Sequence, residues 1–231
     1  MANIFTNAPA VLDFEEGDLS DYDALSTKGT GSNAASNARS HGGDWSHNAV
    51  ITSGQTGDRA LGRKSITWPG GDVVYFRFFL NIDDLGVATF TWGGVLAGLT
   101  VADNVSTSNC YCCMHVQCST TQVVICARDG STYLWTDLTA VLNRDQWYEI
   151  EVKYDLSGTN AAVEWWLDGE SQGTWQGDGL PGDNPSRLLN GFGAYNWDSD
   201  VWGDVYHDDI QCENCRIGGE AAPRRIFITH A

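Results

Sequence analysis

The sequence predicts an all-β protein built from two antiparallel sheets packed face to face. Of its 231 residues, 42% are hydrophobic and 26 are glycine, which suits short strands joined by tight turns. Several segments alternate apolar and polar side chains with a period of two, the pattern of a strand with one buried face. Only residues 137–146 suggest a short helical turn. Ten or more such strands are typical of a double-layered sandwich.

Two segments show the alternation most clearly. Residues 146–155, QWYEIEVKYD, alternate apolar and charged side chains, and the later DGES of 168–171 is a hairpin signal. Residues 72–83, DVVYFRFFLNID, carry large side chains on both faces. Another strand is predicted within AAVEWWLDGES, residues 161–171, and further strands at 87–92, 112–118, 122–128, 131–135, 188–195 and 204–212.

The chain is predicted to form one domain, residues 1–218, followed by a tail. Within that domain, residues 26–58 are rich in Ser, Gly, Asn and Ala and predict a long loop region that includes His41 and His47. Residues 219–231 are basic and apolar after an acidic domain. They are therefore expected to act as a docking arm.

The charge of the chain excludes one class of partner. Thirty acidic residues against 13 basic ones give a formal net charge of −17, which repels phosphate backbones and argues against nucleic-acid binding. No segment reaches the ~20 apolar residues of a membrane-spanning helix, and the N-terminus lacks a secretory signal. We expect synthesis in a cytoplasm, with function there, in a virion released by lysis, or after export by a non-standard route.

The order of these motifs resembles the concanavalin A-like lectin and glucanase superfamily, in its laminin-G-like jelly-roll branch. In that group a strand from Trp to Tyr-Asp precedes a strand that ends in Asp-Gly, and a late strand carries Asp-Asp. The matching segments here are 147–155, 163–169 and 208–210, and the opening LDFEEGDLSDY of 12–22 is also similar. The resemblance covers most of residues 10–215 and implies a jelly-roll sandwich. The superfamily includes lectins, glycan hydrolases, lyases, adhesion modules and viral surface proteins, so function depends on the site.

The sequence assigns no catalytic residue. Glucanases of this fold carry Glu-x-Asp-x-Glu on one strand, and the nearest run here, EIEVKYD at 149–155, has Lys153 in place of the last acid. Lyases of this fold are expected to bring Tyr, His, Arg and Gln together on the concave sheet. Tyr75, Arg77 and His115 are candidates, but their convergence cannot be read from sequence. A non-enzymatic protein is therefore predicted.

A segment near the C-terminus has the composition of a carbohydrate-binding or partner-binding site. Aromatic faces stack on sugar rings, and carboxylates accept hydrogen bonds from hydroxyl groups. The alternative is that half of these rings fill the ends of the sandwich. The candidate residues are Tyr195, Trp197, Asp198, Asp200, Trp202 and Tyr206.

The resemblance also implies a structural calcium ion. In similar jelly rolls, the acidic residue of the opening strand lies beside the late Asp-Asp pair. The corresponding ligands here would be Asp13 or Glu15 with Asp208 or Asp209. Calcium prefers such oxygen ligands, and the site would tie the two ends of the domain together.

The seven cysteines allow three states. Cys110 with Cys113 and Cys212 with Cys215 are two CxxC pairs, the half-site spacing of tetrahedral zinc. The 98 residues between the pairs make zinc the less favoured cofactor. Disulfides and buried free thiols are the other two possibilities.

These observations lead to one functional prediction and two alternatives. The prediction is a non-enzymatic virion protein, such as a bacteriophage capsid decoration, tail or fibre component, that binds other virion proteins or its own copies. The first alternative is a free lectin that binds cell-surface glycans. The second is a polysaccharide hydrolase or lyase.

Overall fold

The structure, a computed structural model, describes residues 3–53, 57–87, 92–101, 109–194 and 201–217. These ranges contain fourteen strands in two antiparallel sheets of seven strands each, and they contain no helix. The predicted two-sheet sandwich is therefore confirmed. The predicted helical turn at 137–146 is wrong, because residues Thr132–Val141 form a strand.

The first sheet contains the longest strands of the fold. Its members are β2 (Gly31–Ser36), β3 (Ser46–Ile51), β5 (Val73–Val87), β10 (Trp147–Asp155), β11 (Ala162–Leu167), β12 (Glu170–Gln176) and β14 (Val201–Glu213). Their spatial order is β12-β11-β10-β5-β14-β3-β2.

The second sheet carries the cysteine-rich segment at its centre. Its members are β1 (Ala24–Lys28), β4 (Arg59–Ser65), β6 (Trp92–Thr100), β7 (Cys110–Gln117), β8 (Gln122–Asp129), β9 (Thr132–Val141) and β13 (Arg187–Ala194). Their spatial order is β1-β4-β13-β6-β7-β8-β9.

The core lies between the two sheets and is formed by alternate residues of each strand. Phe78 of β5 and Ile150 of β10 are directly opposite each other and fully buried. Ile125 of β8 and Phe192 of β13 belong to the same cluster from the second sheet. Burial of each such side chain contributes about 1.5–3 kcal/mol, so the apolar side of the period-two pattern decides which face of each strand points inward.

The prediction of a loop over residues 26–58 is wrong for 15 of its 33 residues, which form strands. It holds the end of β1, all of β2 and all of β3. β2 lies at a sheet edge and has no strongly apolar side chain, so its sequence does not show the apolar alternation of a strand. In β3, His47, Ala49 and Ile51 point inward, and a buried histidine breaks the expected apolar pattern.

The N-terminal segment closes the sandwich by bridging both sheets. Leu12 pairs with Ile210 of β14, and Phe5 pairs with Ile66, just after β4. The predicted strand at 87–92 falls partly outside the described residues. The predicted docking arm, 219–231, lies entirely outside them.

Candidate functional site

The outer face of the second sheet carries a buried apolar cluster, which is unusual for a surface that points away from the core. We call it the outer cluster; it consists of Leu61, Val95, Cys110, Cys113 and Leu189. All five side chains are almost fully buried, and Tyr133 of β9 packs against them.

A hydrogen-bonded Tyr–His pair lies beside the outer cluster. The Tyr133 hydroxyl oxygen is 2.7 Å from Nε2 of His115, which projects from the middle of β7. His115 has no accessible surface, whereas Tyr133 is partly exposed. The ring of Trp135 meets the His115 ring edge-on at 4.8 Å, and Trp135 is 44% exposed. Solvent and ligands therefore reach this pair from the side of Tyr133 and Trp135.

Burial keeps His115 in its neutral form. It lowers the pKa of His115 to about 3, so the imidazole is neutral at any physiological pH. A neutral imidazole offers one N–H donor and one acceptor nitrogen. When Nε2 carries the proton, His115 donates this hydrogen bond to the phenolic oxygen of Tyr133.

Two arginines add positive charge to the same face. Arg59 and Arg63 flank Leu61 on β4, so all three side chains lie on the outer side of the sheet. Through the strand register, Arg59 lies in one row with Gly193, Val95 and His115. Three strand spacings of ~4.8 Å place the two ends of this row about 14 Å apart. In a chain with a net charge of −17, this face favours an anionic ligand.

The candidates for a lyase site that the sequence offered do not come together. Tyr75 and Arg77 lie on β5 of the first sheet, and His115 lies on β7 of the second. The residues that do join His115 are Tyr133 and Trp135, which sequence analysis placed in a strand without a role. Their spacing of two residues, which puts both rings on one face, was the available signal.

The predicted aromatic site is described only in part. Tyr195, Trp197, Asp198 and Asp200 lie outside the described residues. Trp202 and Tyr206 lie on β14, on the outer face of the first sheet and opposite to the Tyr133 side. Tyr206 is almost buried beneath the guanidinium of Arg39, whereas Trp202 is 37% exposed.

Comparison with known proteins identifies the fold. Neither a protein-family model nor a curated protein sequence matches the chain. Among solved structures, an endo-β-1,4-glucuronan lyase from the fungus Trichoderma reesei is 13% identical, with a TM-score of 0.63 over 89% of this chain and 94% of that one. A cellulose-induced protein is 17% identical, with a TM-score of 0.60 over 90% and 99%. The alginate lyase vAL-1 from Chlorella virus is 12% identical, with a TM-score of 0.55 over 90% and 100%.

The chain has the two-sheet jelly-roll fold that these structures share. The predicted resemblance is thus confirmed at the level of the fold. The prediction of a non-enzymatic virion protein is wrong, because the structures that share this jelly roll include two polysaccharide lyases.

Within the described residues, no helix is long and apolar enough to cross a bilayer.

The ends of the jelly roll are tied together by backbone pairing beside the predicted calcium ligands. Leu12 and Ile210 exchange two backbone hydrogen bonds of 2.9 and 3.0 Å. Asp208 accepts bonds from the backbone N–H groups of His41 and Gly42, although burial raises the pKa of this carboxyl to about 7. Asp209 lies 3.2 Å from Nδ1 of His41.

The acidic residues of the opening segment have other neighbours. Glu15 accepts hydrogen bonds from the N–H groups of Asp44 and Trp45. The carboxylate of Asp13 lies within 4.8 Å of those of Glu16 and Asp21. Calcium binding stays a prediction, with Asp13 in this different group of ligands.

The structure does not assemble the predicted zinc site. Cys110 and Cys113 form a disulfide in the outer cluster. Cys212 is buried in the inner core, and Cys215 is partly exposed. The two CxxC pairs therefore lie in different layers of the jelly roll, and one pair has no thiolates to offer a metal.

Thiol counting is expected to distinguish the three cysteine states. In the folded protein we expect one fast-reacting thiol, Cys215, because burial raises the pKa of Cys112, Cys118, Cys126 and Cys212. Denaturation without reductant should expose five thiols and reduction should give seven. Seven thiols before reduction would contradict the disulfide, and Cys215→Ser should remove the fast reaction.

Proposed function

We propose that this protein is a polysaccharide lyase that cleaves a uronate-containing glycan by β-elimination on the outer face of the second sheet. The observation that carries the proposal is the hydrogen-bonded Tyr133–His115 pair beside the exposed indole of Trp135. The shared fold of a glucuronan lyase and an alginate lyase supports it. Tyr133 is the catalytic residue, and His115 is a positioning residue because it has no accessible surface.

The reaction requires one proton to leave the sugar and one to return. The C5–H bond breaks, a C4=C5 double bond forms, and the C4–O4 bond breaks as O4 gains a proton. When the C5 hydrogen and O4 lie on the same side of the sugar ring, one phenol can act as both the base and the acid. Its oxygen receives the C5 proton while its own proton passes to O4. A donated hydrogen bond from His115 would hold the phenolic oxygen in place and stabilise the negative charge it develops.

The surroundings of the pair suit such a substrate. Trp135 presents a partly exposed ring on which a sugar can stack. Arg59 and Arg63 would attract the carboxylates of neighbouring uronate units. Because the C5 proton becomes acidic only next to a carboxyl group, a neutral polysaccharide would not be cleaved by this route.

The test is a screen of the purified full chain against alginate, glucuronan, pectate and hyaluronan, with cellulose and xylan as neutral controls. We expect at least one uronate polymer to yield products that absorb in the ultraviolet, as the new C4=C5 double bond does. Shortened chains without that absorbance would indicate hydrolysis and would contradict the proposal. Binding of a uronate polymer without any product would favour a carbohydrate-binding protein instead.

A further inference from the structure

Trp202 lies flat on the outer face of the first sheet, away from the proposed lyase site. It pairs in register with Gly86 of β5, and a Cβ added to that glycine would overlap Cζ2, Cε2 and Cη2 of the indole. The ring therefore rests directly on the glycine backbone. Its opposite face remains toward solvent, since the residue is 37% exposed.

Two carboxylates stand next to this ring. Asp84 and Asp204 are directly opposite each other in the register of β5 and β14. They lie two residues from the Trp202–Gly86 pair, which is ~7 Å along the strands. Like charges directly across a sheet are unfavourable, and each of these carboxylates has a polar partner. Nη1 of Arg144 lies 2.6 Å from Asp84, and the side-chain amide of Asn48 donates to Asp204.

We propose that Trp202, Asp84 and Asp204 form a second glycan site that binds a neutral sugar. The flat indole provides a stacking surface for the C–H face of a pyranose ring. The two carboxylates accept hydrogen bonds from its hydroxyl groups, and each has lone pairs beyond those used by Arg144 and Asn48. The same negative charge repels uronates, so this site and the arginine-lined face of the second sheet select different sugars.

The experiment is affinity electrophoresis of the full chain in native gels that contain hydroxyethyl cellulose, xylan, galactomannan or mixed-linkage β-glucan, with alginate as the acidic polymer. We expect at least one neutral polymer to retard the wild-type protein. Trp202→Ala should weaken that retardation at least about tenfold, since it removes the whole stacking surface. Asp204→Asn should weaken it to a smaller extent.

Two further variants keep the result independent of folding and of the proposed lyase activity. Gly86→Ala keeps the indole but lifts it from the sheet, so it should also reduce retardation while unfolding remains cooperative. Trp135→Ala, which alters an exposed Trp on the other sheet, should leave retardation by neutral polymers unchanged. The proposal is overturned if no neutral polymer retards the wild type, or if Trp202→Ala is retarded as strongly as the wild type. Neither outcome bears on uronate cleavage.

Discussion

Tyr133→Phe is expected to lower the rate of uronate-polymer cleavage by about 10²–10⁴-fold, the contribution typical of a positioned proton-transfer group. The substitution removes one oxygen and leaves the ring packed against the outer cluster. Because the buried His115 loses this hydrogen-bond partner, the unfolding temperature should fall by a few degrees, while unfolding stays cooperative. Initial rates of ultraviolet absorbance increase over a range of polymer concentrations would separate kcat from KM, and the loss should lie in kcat.

A matched control and a positioning variant sharpen this prediction. Tyr75→Phe removes a hydroxyl from the outer face of the other sheet, so it should leave cleavage unchanged. His115→Gln can still donate to the phenolic oxygen and should retain more activity than His115→Ala, which cannot. Full activity of Tyr133→Phe, or equal losses in both His115 variants, would contradict the assigned roles.

The second large effect is a loss of stability in mild acid. Burial lowers the pKa of His47 well below its ordinary value, that of His207 to about 4 and that of His115 to about 3. The unfolded chain takes up these three protons near pH 6.5, while the folded chain does not. The contribution of these neutral histidines to the free energy of unfolding is therefore fully present above that pH, and it is lost as the pH decreases toward 4.

Raised carboxyl pKa values oppose this effect but do not cancel it. Burial raises the pKa of Asp208 to about 7, so the folded state binds that proton first and gains stability as the pH falls. Burial also raises the pKa of Asp21 and Asp204. With each histidine worth up to ~1.4 kcal/mol per pH unit, the net loss between pH 6 and 5 should be about 1–3 kcal/mol. Urea unfolding at several pH values measures it.

His207 offers the sharpest test of this pH dependence. Its Nε2 lies 3.1 Å from the carbonyl oxygen of Gly191, and its ring faces His47 at 6.0 Å and Phe78 at 5.4 Å. His207→Gln keeps a donor for that carbonyl and should flatten the pH dependence. Phe78→Leu alters the same pocket without a titrating group, so it should lower stability by a similar amount at every pH. An identical slope for both variants would refute the assignment.

The fold could be predicted because the pattern that drives it is local. Alternation along 146–155 and 72–83 fixes which side chains enter the core, and the structure pairs these two segments directly. β2 and β3 were missed because Ser, Asn and His replace apolar residues there, and tertiary pairing compensates for weak strand propensity.

The candidate site could be predicted only in fragments. His115 was named, but its partner Tyr133 lies on β9, and contact between them depends on the register of β7, β8 and β9. The disulfide likewise depends on a bulge that turns Cys110 and Cys113 to the same face. Register and bulges are set by the whole sheet, so a single strand does not reveal them.

The position of β14 has a consequence for the order in which the protein is made. Among the described residues, β14 is the last strand in chain order, and it lies in the interior of the first sheet, between β5 and β3. Until a ribosome has released it, β5 and β3 present open backbone edges that invite pairing with other chains. The first sheet can therefore be completed only after β14 has left the ribosome, and we expect slow folding because these pairings are far apart in sequence.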